Sequence, residues 1–168
     1  MTTLAFLCLA VAARSAAGAP PRIVWASDPI RPDETLVVMG EDFTSNSVVE
    51  LGVCVDAAKP DVKEWTALQP VQASERALKV VVPKGWTQNM WACRVREAQA
   101  ISRCEILNEP EVWWWNGDCG ETATPGGWLR VFGKSLNFGG KSRAQLRSGD
   151  GRSIALTPRA SSGYALDF

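Results

Sequence analysis

The residues able to do chemistry in this chain are its tryptophans and cysteines, because the usual catalytic side chains are missing or scattered. None of the 168 residues is histidine. That removes the Ser-His-Asp triad, the Cys-His dyad, HExxH zinc sites and every imidazole general base. The carboxylates Asp28, Asp33, Glu34, Glu41 and Asp42 flank turns, and no pair of them stands out as an acid/base couple. Asp118 and Glu121 fall short of the oxygen count a calcium loop needs and predict a polar turn. The expectation is therefore a chain that is not an enzyme, with no catalytic residue, metal or cofactor. Cys54, Cys93, Cys104 and Cys119 contain no CxxC pair, so they predict disulfides or free thiols rather than zinc.

Eight tryptophans stand against one tyrosine, and indole rings serve cores, interfaces and flat ligands. In the run Trp113-Trp114-Trp115, strand alternation sends Trp113 and Trp115 to one face and Trp114 to the other, so the three cannot form one platform. Packing is the expectation for this run, one face into a core and the other onto the preceding unit. Trp86, in Pro83-Lys-Gly-Trp86, falls in a loop and is the better candidate for stacking on a ligand; Trp114 is the second.

Basic and acidic residues balance at 18 each, so no electrostatic footprint for nucleic acid is expected. Leu4 to Ala13 is an apolar run too short to span a bilayer and of the length of a signal-peptide core. Small residues follow, and cleavage after Ala17 fits, although no Lys or Arg precedes the run. Residues 1–17 are read as a signal peptide, the product as secreted or extracytoplasmic, with no membrane span once the signal is removed. An oxidising compartment permits up to two disulfides among the remaining cysteines.

From Ile23 onward the sequence reads as short alternating segments punctuated by Pro29, Pro32, Gly40, Pro60, Pro70, Pro83 and Gly85. This predicts an all-β antiparallel sandwich. The expected inward residues are Leu36, Val38, Val49, Leu51, Val53, Val80, Val82, Trp91, Val95 and Ile106. Asp61 to Leu68 is expected to be a loop with at most one helical turn. Trp91–Arg96 and Ile101–Leu107 form a hairpin candidate whose paired residue numbers sum to 197, which would set Cys93 opposite Cys104 on the inward side. A disulfide between them is one expectation, two neighbouring free thiols the other.

The chain also repeats. Pro21-Arg-Ile-Val-Trp25 answers to Pro110-Glu-Val-Trp-Trp114, 89 residues later, and the block from Pro32 to Phe43 answers to Pro125 to Leu136, 93 residues later. Two units follow, 20–109 and 110–168, the second holding only the first part of the pattern and read as incomplete.

The shared block, a proline turn, an alternating strand and Gly-x-x-Phe or Gly-x-x-Leu, resembles the opening of IPT/TIG domains. The resemblance implies two tandem immunoglobulin-like β-sandwich units, the second truncated. The run from Leu107 to Leu136 is in turn similar to the region ahead of the catalytic β-helix in secreted bacterial pectate-lyase-like and polygalacturonase-like proteins. What this implies is a non-catalytic accessory or spacer module, carbohydrate-associated, whose partners are a polysaccharide or a downstream catalytic domain in the same polypeptide. The alternative is an Ig-like adhesion or protein-binding module.

Overall fold

Branched residues alternating with polar ones, closed off by proline and glycine, become strands throughout the computed structural model, which describes residues 19–137, 142–147 and 149–168. The expected signal peptide lies outside the described residues. Among the described residues fifteen strands follow in order. They are β1 (Arg22–Ala26), β2 (Thr35–Glu41), β3 (Val48–Val53), β4 (Thr66–Leu68), β5 (Gln72–Ala73), β6 (Ala77–Val81), β7 (Trp91–Glu97), β8 (Ala100–Ile101) and β9 (Glu105–Leu107). Then come β10 (Glu111–Gly117), β11 (Leu129–Lys134), β12 (Ala144–Arg147), β13 (Ser153–Leu156), β14 (Ala160–Ser161) and β15 (Ala165–Asp167). The described residues contain no helix, and Asp61–Leu68 resolves into loop followed by β4.

All strand pairs are antiparallel. One sheet has the order β1-β2-β6-β5; a second has β4-β3-β7-β8, with β9 also on β7. Between them lies the core, in which Leu36, Val38, Leu78 and Val80 from the first sheet meet Val49, Leu51, Trp91, Cys93 and Val95 from the second. Burial of these side chains contributes about 1.5–3 kcal/mol each.

Two expected core residues are placed differently. Val53, at the end of β3, is 50% exposed. Ile106 is displaced because the β7–β9 register is one residue off the expected one. Next to the turn the pairing is as anticipated, with Arg96 opposite Ile101 and Glu97 opposite Ala100. The Ser102 hydroxyl then accepts the Val95 N–H at 2.9 Å, in the place of a strand carbonyl, and the chain bulges before rejoining with Cys93 opposite Glu105 and Trp91 opposite Leu107. A one-residue slip exchanges the two faces of a strand. Leu107, 1% exposed, enters the core where Ile106 was expected, and Cys104 loses its position opposite Cys93.

On the outer face of the second sheet Glu50 is buried between Arg94 and Arg96, each Nε 2.7 Å from one carboxylate oxygen. Arg94 also lies over the Trp65 ring at 3.9 Å. Burial alone would push the Glu50 carboxyl up, but the hydrogen bonds from Arg96 and Arg94, with their charges, outweigh it and hold the group below its ordinary 4.5. A carboxylate held down in the folded state stabilises fully above its unfolded pKa and stops doing so as pH falls through the folded one. The urea midpoint is thus expected to drop on acidification below about pH 4.5, and Glu50→Gln should flatten that limb. An unchanged acid limb in the variant would contradict this role.

The third sheet, β10-β11-β15-β14, repeats the first. Val37, Val38 and Met39 pair with Lys79, Leu78 and Ala77; Arg130, Val131 and Phe132 pair with Asp167, Leu166 and Ala165 in the same register. The bulge between Ile23 and Trp25 recurs between Val112 and Trp114. Gly40 and Gly133 are required for one reason: a Cβ at either would collide with the backbone carbonyl of Arg22 or Glu111. Asp42 and Ser135, two residues on, both adopt positive φ, 59° and 53°. The repeat extends past Leu136, since Leu68-Gln-Pro-Val-Gln-Ala73 answers to Leu156-Thr-Pro-Arg-Ala-Ser161, and the β12–β13 hairpin stands where β3–β4 stands in the first unit. Among the described residues nothing after β15 corresponds to β7–β9. Lys134 Nζ, at the end of β11, lies 2.6 Å from an Asp28 carboxylate oxygen in the β1–β2 loop.

Candidate ligand-binding groove

An open cavity of about 600 Å³ lies at the end of the first sandwich. Its apolar floor is Leu51, Val53 and Trp91, at the adjoining ends of β3 and β7. One wall is the β3–β4 loop with Asp61, Lys63 and Glu64, continued by Thr66 at the start of β4; the other is Trp86, Thr87 and Asn89 from the segment before β7.

Local sequence explains each wall. Gly52 lets the β3–β4 loop press onto β3, because a Cβ there would strike Val62 and the Glu64 carbonyl. Pro83 begins a turn closed by the Trp86 N–H donating to the Pro83 carbonyl at 3.1 Å. The Trp86 ring then rests against the core, at 5.8 Å and 63° from Trp91. Asn89 is fixed through its carbonyl, which accepts the Asn108 side-chain amide at 2.9 Å.

Trp91 is 1% exposed, so it serves as a wall behind Trp86, and Trp86 is the groove's partly open ring. Among the described residues Asp61, Lys63 and Glu64 make no ion pair. An apolar floor with an aromatic ring, rimmed by free carboxylates, hydroxyls, an amide and an amine, suits a ligand with one flat apolar face and hydrogen-bonding edges.

Trp114 lies elsewhere. It pairs with Phe132 across β10 and β11, their rings stacked at 5.1 Å and 16°, and it does not line the groove. The expected packing of the tryptophan run is not found: Trp113, Trp114 and Trp115 are 57%, 49% and 48% exposed. Simple alternation fails as well, because Trp113 occupies the bulge between Val112 and Trp114. Trp115, opposite Val131, takes the inner-face position that Ala26 holds opposite Val38.

Asp118 closes the polar turn expected of it. Hydrogen bonds from the Thr124 hydroxyl and N–H, at 2.5 and 2.9 Å, hold its carboxyl below the ordinary carboxylate range. Glu121 contributes its backbone carbonyl to the Trp115 indole N–H. No cluster of three or more Cys, Asp or Glu able to hold a metal occurs among the described residues.

Cys54, Cys93, Cys104 and Cys119 are all free, the first two buried and the last two exposed. The expected Cys93–Cys104 bridge is therefore absent, for the register reason given above. Burial, reinforced by nearby Cys104 and Glu105, pushes the Cys93 thiol far above its ordinary value. Under native conditions iodoacetamide should modify Cys104 and Cys119, with Cys54 and Cys93 reacting only after denaturation. A peptide linking Cys93 to Cys104 in a non-reducing digest would contradict the observed register.

Of the sequence candidates, then, Trp86 sits in a groove, Trp114 sits on another sheet, and the cysteines form no bridge. The rim residues Asp61, Lys63, Glu64, Thr87 and Asn89 carried no motif. The one signal pointing to them was Gly52 inside a strand of branched residues, which marks close approach of another backbone. Compared with known protein families and with curated proteins, the chain finds a match in neither.

Proposed function

We propose that this chain is a non-catalytic accessory module of a secreted polysaccharide-active protein, binding carbohydrate through the Trp86 groove. In this reading the two units are tandem Ig-like sandwiches of IPT/TIG type, resembling those ahead of the β-helix in pectate-lyase-like proteins, and chemistry belongs to a separate catalytic domain. The observation that carries the proposal is the groove itself: a tryptophan backed by a buried tryptophan, over an apolar floor and inside a rim of unpaired polar groups. Sugar rings present an apolar face and hydroxyl edges, which that surface complements.

The test is titration with oligogalacturonides and cello-oligosaccharides, followed by tryptophan fluorescence. Saturable quenching is expected, weakened about tenfold or more by Trp86→Ala, a loss of about 1.4 kcal/mol, and untouched by Trp114→Ala. Absence of saturable binding, or equal binding by Trp86→Ala, would overturn the proposal. The alternative of an adhesive, protein-binding module is favoured by one observation, the half-exposed tryptophans of β10.

A further inference from the structure

The outer face of the second sheet carries a cationic cluster that the Trp86 groove does not use. Arg94 and Arg96 stand two residues apart on β7 and so share a face. Glu50, opposite Arg94 on β3, accepts one hydrogen bond from the Nε of each at 2.7 Å. Two cations against one carboxylate leave the cluster positive. Among the described residues the terminal Nη groups of both guanidiniums make no hydrogen bond, although both side chains reach solvent, 22% and 38% exposed.

Both guanidiniums are held before any ligand arrives. Glu50 fixes the two Nε atoms, and the Trp65 ring lies 3.9 Å from the Arg94 guanidinium. A guanidinium tied at Nε and stacked on a ring has little freedom left to lose, and its remaining N–H donors match the oxygens of an oxyanion. Glu50 itself shows the fit, since one carboxylate spans the pair with an oxygen on each.

The cluster adjoins the groove through one short segment. Glu64 and Thr66 line the groove, and Trp65 between them carries Arg94. The groove's own rim sets Asp61 and Glu64 against Lys63 and is net acidic, so it suits a neutral sugar. An acidic substituent on the same glycan meets its counter-charge at the arginines instead.

We propose that Arg94 and Arg96 form an anion subsite beside the groove, taking a sulfate ester or carboxylate on a sugar whose neutral neighbour lies on Trp86. The glycan class is then a neutral backbone bearing acidic substituents. This inference rests on carbohydrate binding at the Trp86 groove.

Matched cello-oligosaccharides are the probes: unmodified, with a 6-sulfate on one terminal glucose, and with that glucose oxidised to glucuronate, the acidic group being placed at either end in turn. In calorimetric titration of the full chain an acidic ligand is expected to bind about tenfold more tightly than the neutral one, and to lose that margin at high salt. The arm with the larger gain identifies the oxyanion. Arg96→Gln, which leaves Arg94 on Glu50, should remove the gain with affinity for the neutral ligand unchanged. Arg76→Gln, which removes a charge from the turn between β5 and β6 of the other sheet, should keep it. If circular dichroism shows that Arg96→Gln does not fold, Arg96→Lys is read in its place and should lose most of the gain, since it keeps the charge without the planar fork. Equal affinity for all the ligands, or a gain that survives both Arg96 variants, overturns the subsite alone while neutral binding at Trp86 stands. Binding of none of them overturns the groove and the subsite together.

Discussion

Replacing Asn108 by alanine is expected to cost about 3–5 kcal/mol in urea unfolding, among the largest effects of any polar substitution in the chain. The Asn108 side chain is fully buried. Its Oδ1 accepts the Ile30 N–H at 2.8 Å, and its Nδ2 donates to the carbonyls of Ile30 at 2.8 Å and Asn89 at 2.9 Å. Alanine leaves one donor and two acceptors without partners in a site closed to water, and each orphaned group costs about 1–3 kcal/mol. The backbone adds a smaller contribution, since Asn108 has φ 63°, a conformation asparagine and glycine tolerate and alanine does not. Asn108→Gly should therefore unfold about 1 kcal/mol later than Asn108→Ala. A loss below about 1 kcal/mol for the alanine variant would mean that water reaches the site and replaces the amide.

Trp91→Ala carries the second large effect. The ring is the largest fully buried side chain, in contact with the core and with Trp86. Its removal should cost about 3–5 kcal/mol through lost transfer energy and the cavity left behind. It should also loosen the wall that holds Trp86, so carbohydrate affinity falls with stability. Trp86→Ala should separate the two, losing affinity with a much smaller shift of the unfolding midpoint because that ring is only partly buried. Equal destabilisation by both substitutions would show that Trp86 is a core residue.

The sandwich was legible wherever alternation was undisturbed. Leu36, Val38, Val49, Leu51, Val80, Val82, Trp91 and Val95 all point inward as their spacing required. Legibility stopped at two bulges. At Ser102 a hydroxyl takes the place of a backbone acceptor, and a one-residue slip carried Ile106 and Cys104 away from their expected positions. At Trp113 an extra residue broke the alternation assumed for the tryptophan run. The second half of the repeat was hidden by changing spacing: Val38 and Val131 are 93 residues apart, but Leu78 and Leu166 only 88, because the loop joining β12 to β13 is shorter than that joining β3 to β4. The groove was hidden for a different reason. Its walls come from loops around residues 61–66 and 86–89, and only the ends of β3 and β7 bring them together.

Carbohydrate binding at the Trp86 groove is most directly tested by a ¹H–¹⁵N chemical-shift titration of the chain with an oligosaccharide. Shifts are expected to concentrate at the Trp86 indole N–H and at the amides of Gly52, Val53, Glu64, Thr87 and Asn89, while those of Trp114 and Phe132 stay in place. Shifts centred on Trp114 and Phe132, or no saturable shift at the groove, would contradict it.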